Sequence, residues 1–134
     1  MTRRHNFNKF VLVVDDNETN REIASGLLKI FGCRTEGAAN GREAVELVRS
    51  NRYDLILMDC QMPVMDGFQA TAAIRRLENS QEPVAHTPVF AFSGNIQEQD
   101  RREFLRSGMD GYISKPFTQD DIRTILEDLF GEQK

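Results

Sequence analysis

Tryptophan is absent from this 134-residue chain, histidine and cysteine occur only twice each, and proline only four times. Each scarcity excludes something. Cys33 and Cys60 share neither metal-ligand nor Cys-x-x-Cys spacing, so a disulfide scaffold and a zinc site are both ruled out as readings. Reduced thiols of this kind point to a cytoplasmic protein. His5 and His86 have no partner at ligand spacing and read as solvated surface residues. No apolar run approaches the ~20 residues that span a bilayer, and the first residues lack the apolar core of a signal peptide, so membrane insertion is not expected. Basic tracts are missing too. With a net charge of −4 and only scattered Arg-Arg pairs, the chain is not expected to bind nucleic acid directly.

What the chain does contain is four short apolar runs, each ending in a residue with reactive chemistry. Phe10-Val11-Leu12-Val13-Val14 leads to Asp15 and Asp16. Leu55-Ile56-Leu57-Met58 leads to Asp59. Val89-Phe90-Ala91-Phe92 leads to Ser93, and Tyr112-Ile113-Ser114 leads to Lys115-Pro116. Runs apolar at every position and rich in β-branched and aromatic residues are strands buried on both faces, as in a parallel sheet. Ligands of open parallel sheets bind beyond the carboxyl ends of the strands. Three acids, a hydroxyl and an ammonium therefore gather at one sheet edge.

Between the strands the pattern switches to helical spacing, which predicts βαβ units with right-handed crossovers. A first helix is expected from about Asn17 to Phe31, with Ile23, Leu27, Leu28 and Phe31 as its buried stripe and Gly32 ending it. A weak second strand covers Cys33 to Glu36. Asn40 with Glu43 opens a second helix carrying Ala44, Val45 and Val48. A third follows Asp66-Gly67, with Phe68, Thr71, Ile74 and Leu77. Residues 79–87 form a polar loop. A thinly apolar fourth helix spans Gln97 to Ser107, and Thr118 with Asp121 opens a last helix that buries Ile122, Ile125, Leu126 and Leu129. The chain is expected to divide into a flexible N-terminal tail (1–9), one domain (10–131) and a C-terminal tail (132–134), with no room expected for a second domain.

Asp15, Asp16 and Asp59 in one crevice repel each other, and a hard divalent cation relieves that repulsion. Mg²⁺ takes oxygen ligands and keeps positions for water and a phosphate oxygen, so the pocket reads as a Mg²⁺ site that accepts a phosphoryl group, with Mn²⁺ as a substitute. Alone, Asp16 reads more simply as a helix cap, Lys115 as a surface charge and Ser93 as a turn residue. Asp59, followed by Cys-Gln-Met-Pro, has no capping role. Cys60 points to the other side of the sheet as a packing residue.

The stretches Val-Leu-Val-Val-Asp-Asp-Asn, Leu-Ile-Leu-Met-Asp-Cys-Gln-Met-Pro-Val-Met-Asp-Gly, Ala-Phe-Ser-Gly-Asn and Gly-Tyr-Ile-Ser-Lys-Pro-Phe, in this order, resemble the receiver domain of two-component response regulators. The resemblance runs from about Phe10 to Phe130, and the Asp-Asp-Asn-Glu-Thr-Asn-Arg-Glu segment is similar to receivers of hybrid sensor kinases. It implies an α/β, flavodoxin-like (βα)5 fold with a doubly wound parallel sheet of five strands in the order 2-1-3-4-5. It implies that Asp59 is the phosphoacceptor, that Asp16 binds Mg²⁺ directly and Asp15 through water, and that the backbone carbonyl of Gln61 completes the metal site. Ser93 and Lys115 match the residues that contact the phosphoryl group, and Tyr112 the aromatic switch. The Lys115-Pro116 bond matches one that is often cis.

The resemblance further implies a signalling domain rather than a turnover enzyme. It takes a phosphoryl group from a histidine kinase or a histidine phosphotransfer protein, catalysing its own phosphorylation and dephosphorylation. It then passes a signal to a downstream protein or fused domain through the face of the fourth helix, fifth strand and last helix. Gln61, Gly94 and Asn95 stand where water access to the acyl phosphate is controlled. Three other expectations compete with this one. A Mg²⁺-dependent phosphohydrolase would carry Asp-x-Asp after the first strand, a flavodoxin-like electron carrier would need a hydroxyl- and glycine-rich loop there, and a docking-only receiver would lack part of the acid set.

Overall fold

The computed structural model describes residues 6–60, 65–81, 85–93, 102, 104, 106–114 and 118–131. Five strands, β1 (Phe10–Val14), β2 (Arg34–Ala38), β3 (Leu55–Asp59), β4 (Val89–Ser93) and β5 (Gly111–Ser114), form one parallel sheet in the order β2-β1-β3-β4-β5. Helices α1 (Glu18–Ile30), α2 (Gly41–Ser50), α3 (Gly67–Asn79) and α4 (Gln119–Phe130) connect or follow them. Of the helix expected over 97–107, Arg102, Phe104, Arg106 and Ser107 are helical, and its other residues lie outside the described set. No helix among the described residues is long and apolar enough to cross a membrane.

The continuous apolar runs are explained by their two-sided burial. In β1 and β3 alternate side chains point to opposite faces. Leu12, Val14, Ile56 and Met58 pack with Ala44, Val45, Ala70 and Ile74 of α2 and α3. Val11, Val13, Leu55 and Leu57 pack with Ala24 and Leu28 of α1 and Ile122, Ile125 and Leu126 of α4. Each such side chain contributes about 1.5–3 kcal/mol by leaving water.

Helix ends follow the expected capping chemistry, with one local change. The Thr118 hydroxyl accepts from the Asp121 amide while the Asp121 carboxylate accepts from the Thr118 amide. At α2, Asn40 Oδ1 accepts from the Glu43 amide, but the Glu43 carboxylate turns to the Ala39 amide. Gly32 ends α1 at φ +78°, a left-handed conformation that suits glycine.

Ile23 departs from expectation: it is 51% exposed. The buried face of α1 is set by Ala24, Leu28 and Phe31, spaced four and three apart, and Ile23 lies about 100° around the helix from Ala24. Strand β2 also runs later than Cys33–Glu36. It is an edge strand reading Arg-Thr-Glu-Gly-Ala, with little apolar signal to mark its ends. Within the segment expected as an N-terminal tail, the Phe7 amide donates to Phe31 O and Lys9 sits 4.8 Å above the Phe130 ring.

Candidate functional site

Strand register brings the acids together. Val14 of β1 is opposite Met58 of β3, so Asp15 and Asp59 are side by side at the carboxyl edge. Asp59 is opposite Phe92, Phe92 is opposite Ile113, and Ser93 is opposite Ser114. The backbone thus carries Ser93 to the same edge. The side chain of Ser93, and residues Gln61, Gly94, Asn95, Lys115 and Pro116 altogether, lie outside the described residues.

One carboxylate oxygen each from Asp15, Asp16 and Asp59 lies within 4.8 Å of the other two. Asp15 is fully buried, Asp59 is 6% exposed and Asp16 is exposed. Carboxylate oxygens gathered this closely could together hold one divalent cation. The donor set, all hard oxygen, suits Mg²⁺ or Mn²⁺.

Asp16 does not cap α1. Asn17 does, its side chain accepting from the Asn20 amide at 3.0 Å, which leaves the Asp16 carboxylate to the cluster. Asp15 Oδ1 accepts from the Asn17 amide at 2.9 Å, the Asp15 amide donates to Ala38 O, and Arg21 Nη1 donates to Asp15 O at 2.6 Å. Asp59 is braced from below by α3. The Gly67 amide donates to Cys60 O at 3.1 Å, and a Cβ at position 67 would lie 2.3 Å from Asp59 O. Only glycine permits that approach. Cys60 is buried in the core, as a packing residue should be.

Tyr112 is 37% exposed and its ring stacks on Phe104 at 4.9 Å, which in turn contacts Phe68 at 5.6 Å. A line of aromatic rings therefore links the surface of β5 to the start of α3.

At the opposite, amino edge of the sheet lies a cavity of about 510 Å³ lined in part by Arg52, Tyr53, Asp54, Glu78, His86 and Thr87. Its charged groups largely serve the fold. Arg75 bridges Glu78 and Asp110 and donates to Gly108 O and Thr87 O. His86 Nε2 lies 2.8 Å from Asp110 Oδ1, and the Asp54 carboxylate accepts from the Phe10 amide. This cavity is thus away from the reactive acids, and chemistry identifies the site.

Sequence reasoning missed Arg21, the Asn17 amide and the close approach of Gly67. Asn17 after an Asp-Asp pair was a usable capping signal, and Asp-Gly before a helical run was another. The Arg21 contact, from a side chain to a main-chain carbonyl six residues back, has no sequence signature.

The family model described as "response regulator receiver domain" matches residues 11–127. The chain is 44% identical to Hybrid signal transduction histidine kinase B of Dictyostelium discoideum over 84% of its length. It is 38% identical to Transcription factor SKN7 of Saccharomyces cerevisiae over 87%. It spans only 6% and 18% of those two proteins. A solved receiver domain of a sensor histidine kinase from Pseudomonas aeruginosa, with a magnesium ion coordinated in the active-site cleft, superposes with TM-score 0.81. That match has 36% identity and covers 93% of this chain and 99% of that one.

Proposed function

The chain belongs to the response regulator receiver domain family of two-component signalling, and from that premise we propose that Asp59 receives a phosphoryl group from a phosphohistidine and that this event switches the β5 face. The observation that carries the proposal is the set of three carboxylates within 4.8 Å at the carboxyl edge of the sheet, with Asp59 held at the end of a fully buried strand.

Asp15 and Asp16, with Asp59 and the backbone carbonyl of Gln61, would hold Mg²⁺. The ion, when bound, supplies positive charge to the phosphoryl oxygens, as does its counterpart in phosphoryl-transferring sites generally. An Asp59 carboxylate oxygen forms a bond to phosphorus as the phosphorus–nitrogen bond of the donor breaks, and the leaving imidazole keeps the electron pair. The transition state is loose, so the work of the protein is placement and charge neutralisation. Gly67 fixes the main chain of Asp59, the Asn17 amide orients Asp15, Lys115 offsets charge on a phosphoryl oxygen, and Ser93 donates to another. Ser93 moving toward the phosphoryl group opens room for Tyr112 to leave its exposed stack on Phe104, biasing a pre-existing equilibrium. Gln61, Gly94 and Asn95 set the lifetime of the acyl phosphate by governing water access.

The donor is a histidine kinase or a histidine phosphotransfer protein, and the output passes to a downstream protein or a fused domain. Incubation with a ³²P-labelled phosphohistidine protein tests this. Label should move to the wild type in a one-to-one ratio and not to Asp59→Asn. Label on the Asp59→Asn protein would disprove the acceptor assignment, and continuous release of inorganic phosphate from small esters would favour a phosphohydrolase.

A further inference from the structure

Arg21 lies one turn into α1, half-buried, with its main-chain amide bound to Asn17 O. Its guanidinium does not reach a carboxylate in any contact described above. It donates instead to the main-chain oxygen of Asp15 at 2.6 Å. That oxygen belongs to the planar peptide unit that joins Asp15 to Asp16. The Asp15 amide, on the preceding unit, is held by Ala38 O. The backbone is therefore gripped on both sides of the Asp15 Cα, and the plane that aims both acid side chains cannot swivel while Arg21 holds it.

The path to that oxygen crosses Gly37 of β2. Arg21 Cδ and Nε lie 3.4 and 3.6 Å from where a Cβ at position 37 would sit, and Gly37 is exposed. A methyl group there would make an ordinary contact, but a branched side chain would stand in the way of the arginine stem. An edge strand gains nothing from glycine by itself, since glycine weakens strands. An open lane for a neighbouring side chain accounts for it.

We propose that Arg21, seated on Gly37, is a positioning residue that sets the aim of the Asp15–Asp16 pair and so the cation affinity of the acidic pocket. This rests on the cation-site reading given above. Two effects of Arg21 have opposite signs. As a nearby positive charge it repels a cation, and its removal would tighten binding. As a clamp it preorganises two ligands, and its removal weakens binding. Outer partners of metal ligands are typically worth 10–100-fold in affinity.

The experiment is Mn²⁺ binding, read from the free-ion electron paramagnetic resonance signal, on wild type, Arg21→Ala, Arg21→Lys, Gly37→Val and the Arg21→Ala/Gly37→Val pair. Circular dichroism checks the fold of each. Arg21→Ala and Gly37→Val should each weaken binding about tenfold, Arg21→Lys should fall between, and the double variant should be no weaker than Arg21→Ala, because both changes break one interaction. In the metal-free protein, exchange of the Asn17 amide proton, which bonds to Asp15 Oδ1, should quicken in Arg21→Ala. Unchanged or tighter binding by Arg21→Ala, or losses that multiply in the pair, would overturn the proposal. Failure of the wild type to bind Mn²⁺ would instead remove the cation site itself, and this inference with it.

Discussion

Replacing Asp59 by Asn should make the metal-free protein more stable while abolishing its function. Asp59 and Asp15 are both buried, with carboxylate oxygens no more than 4.8 Å apart, and Asp16 completes the cluster from the exposed side. Two unit charges at that separation repel by ~0.9 kcal/mol in water and ~3.5 kcal/mol at an effective permittivity of 20. The Asn17 amide on Asp15 and the Lys115 ammonium, in its proposed place, offset part of this. A net gain of about 1–3 kcal/mol remains for Asp59→Asn, or roughly 3–10 °C in melting temperature for a domain of this size. Adding Mg²⁺ should erase the difference. The wild type gains about 2.7 kcal/mol at a hundredfold excess over the dissociation constant, whereas the variant, short of one ligand, gains little. Thermal unfolding by circular dichroism, with EDTA and then with Mg²⁺, reads both effects. A metal-free Asp59→Asn protein no more stable than wild type, or equal stabilisation of both by Mg²⁺, would refute the account of a strained acid cluster.

Arg75→Met should cost about 3–5 kcal/mol in urea denaturation, because it leaves the Glu78 carboxylate, 8% exposed, without its cation; a loss under ~1 kcal/mol would show the Arg75 bridge to be ornamental. Gly67→Ala should destabilise by about 1–3 kcal/mol through its clash with Asp59 O, and should slow label uptake as the acceptor's main chain shifts; an unchanged rate would separate Gly67 from the site. Burial, reinforced by the bond to Glu36, pushes the Tyr53 phenol well above its ordinary pKa. The unfolded chain therefore ionises first, so the stability Tyr53 contributes is complete below pH ~10 and declines as pH rises through its folded pKa. Measured by denaturation, the advantage of wild type over Tyr53→Phe should be flat from pH 7 to 9 and shrink above 10.

Much of this molecule was legible because its chemistry sits where patterns are strongest. Runs buried on both faces, such as Leu55–Asp59, admit one assignment, and the parallel register then carries their terminal acids to one edge. Thr118 and Asn40 announced their helices through local hydrogen bonding. Local pattern failed where tertiary contact decides. Ile23 outweighs Ala24 on any hydrophobicity scale, yet the small Ala24 faces the sheet because close helix–sheet packing favours it. Strand β2 exposes one edge, so its residues are mixed and its ends are set by pairing with β1. Asp16 was ambiguous between cap and ligand until Asn17 took the cap. The Arg21 side chain that reaches Asp15 O passes beside Gly37 of β2, and no single segment contains that arrangement.

The central claim is that Asp59 accepts one phosphoryl group. Intact-mass measurement after incubation with acetyl phosphate and Mg²⁺ tests it most directly. The wild type should gain the mass of one phosphoryl group, lose it on treatment with hydroxylamine as an acyl phosphate does, and gain nothing when EDTA is present or when Asp59 is Asn. An adduct that persists in Asp59→Asn, or a wild type that stays unmodified while binding Mg²⁺, would contradict the account.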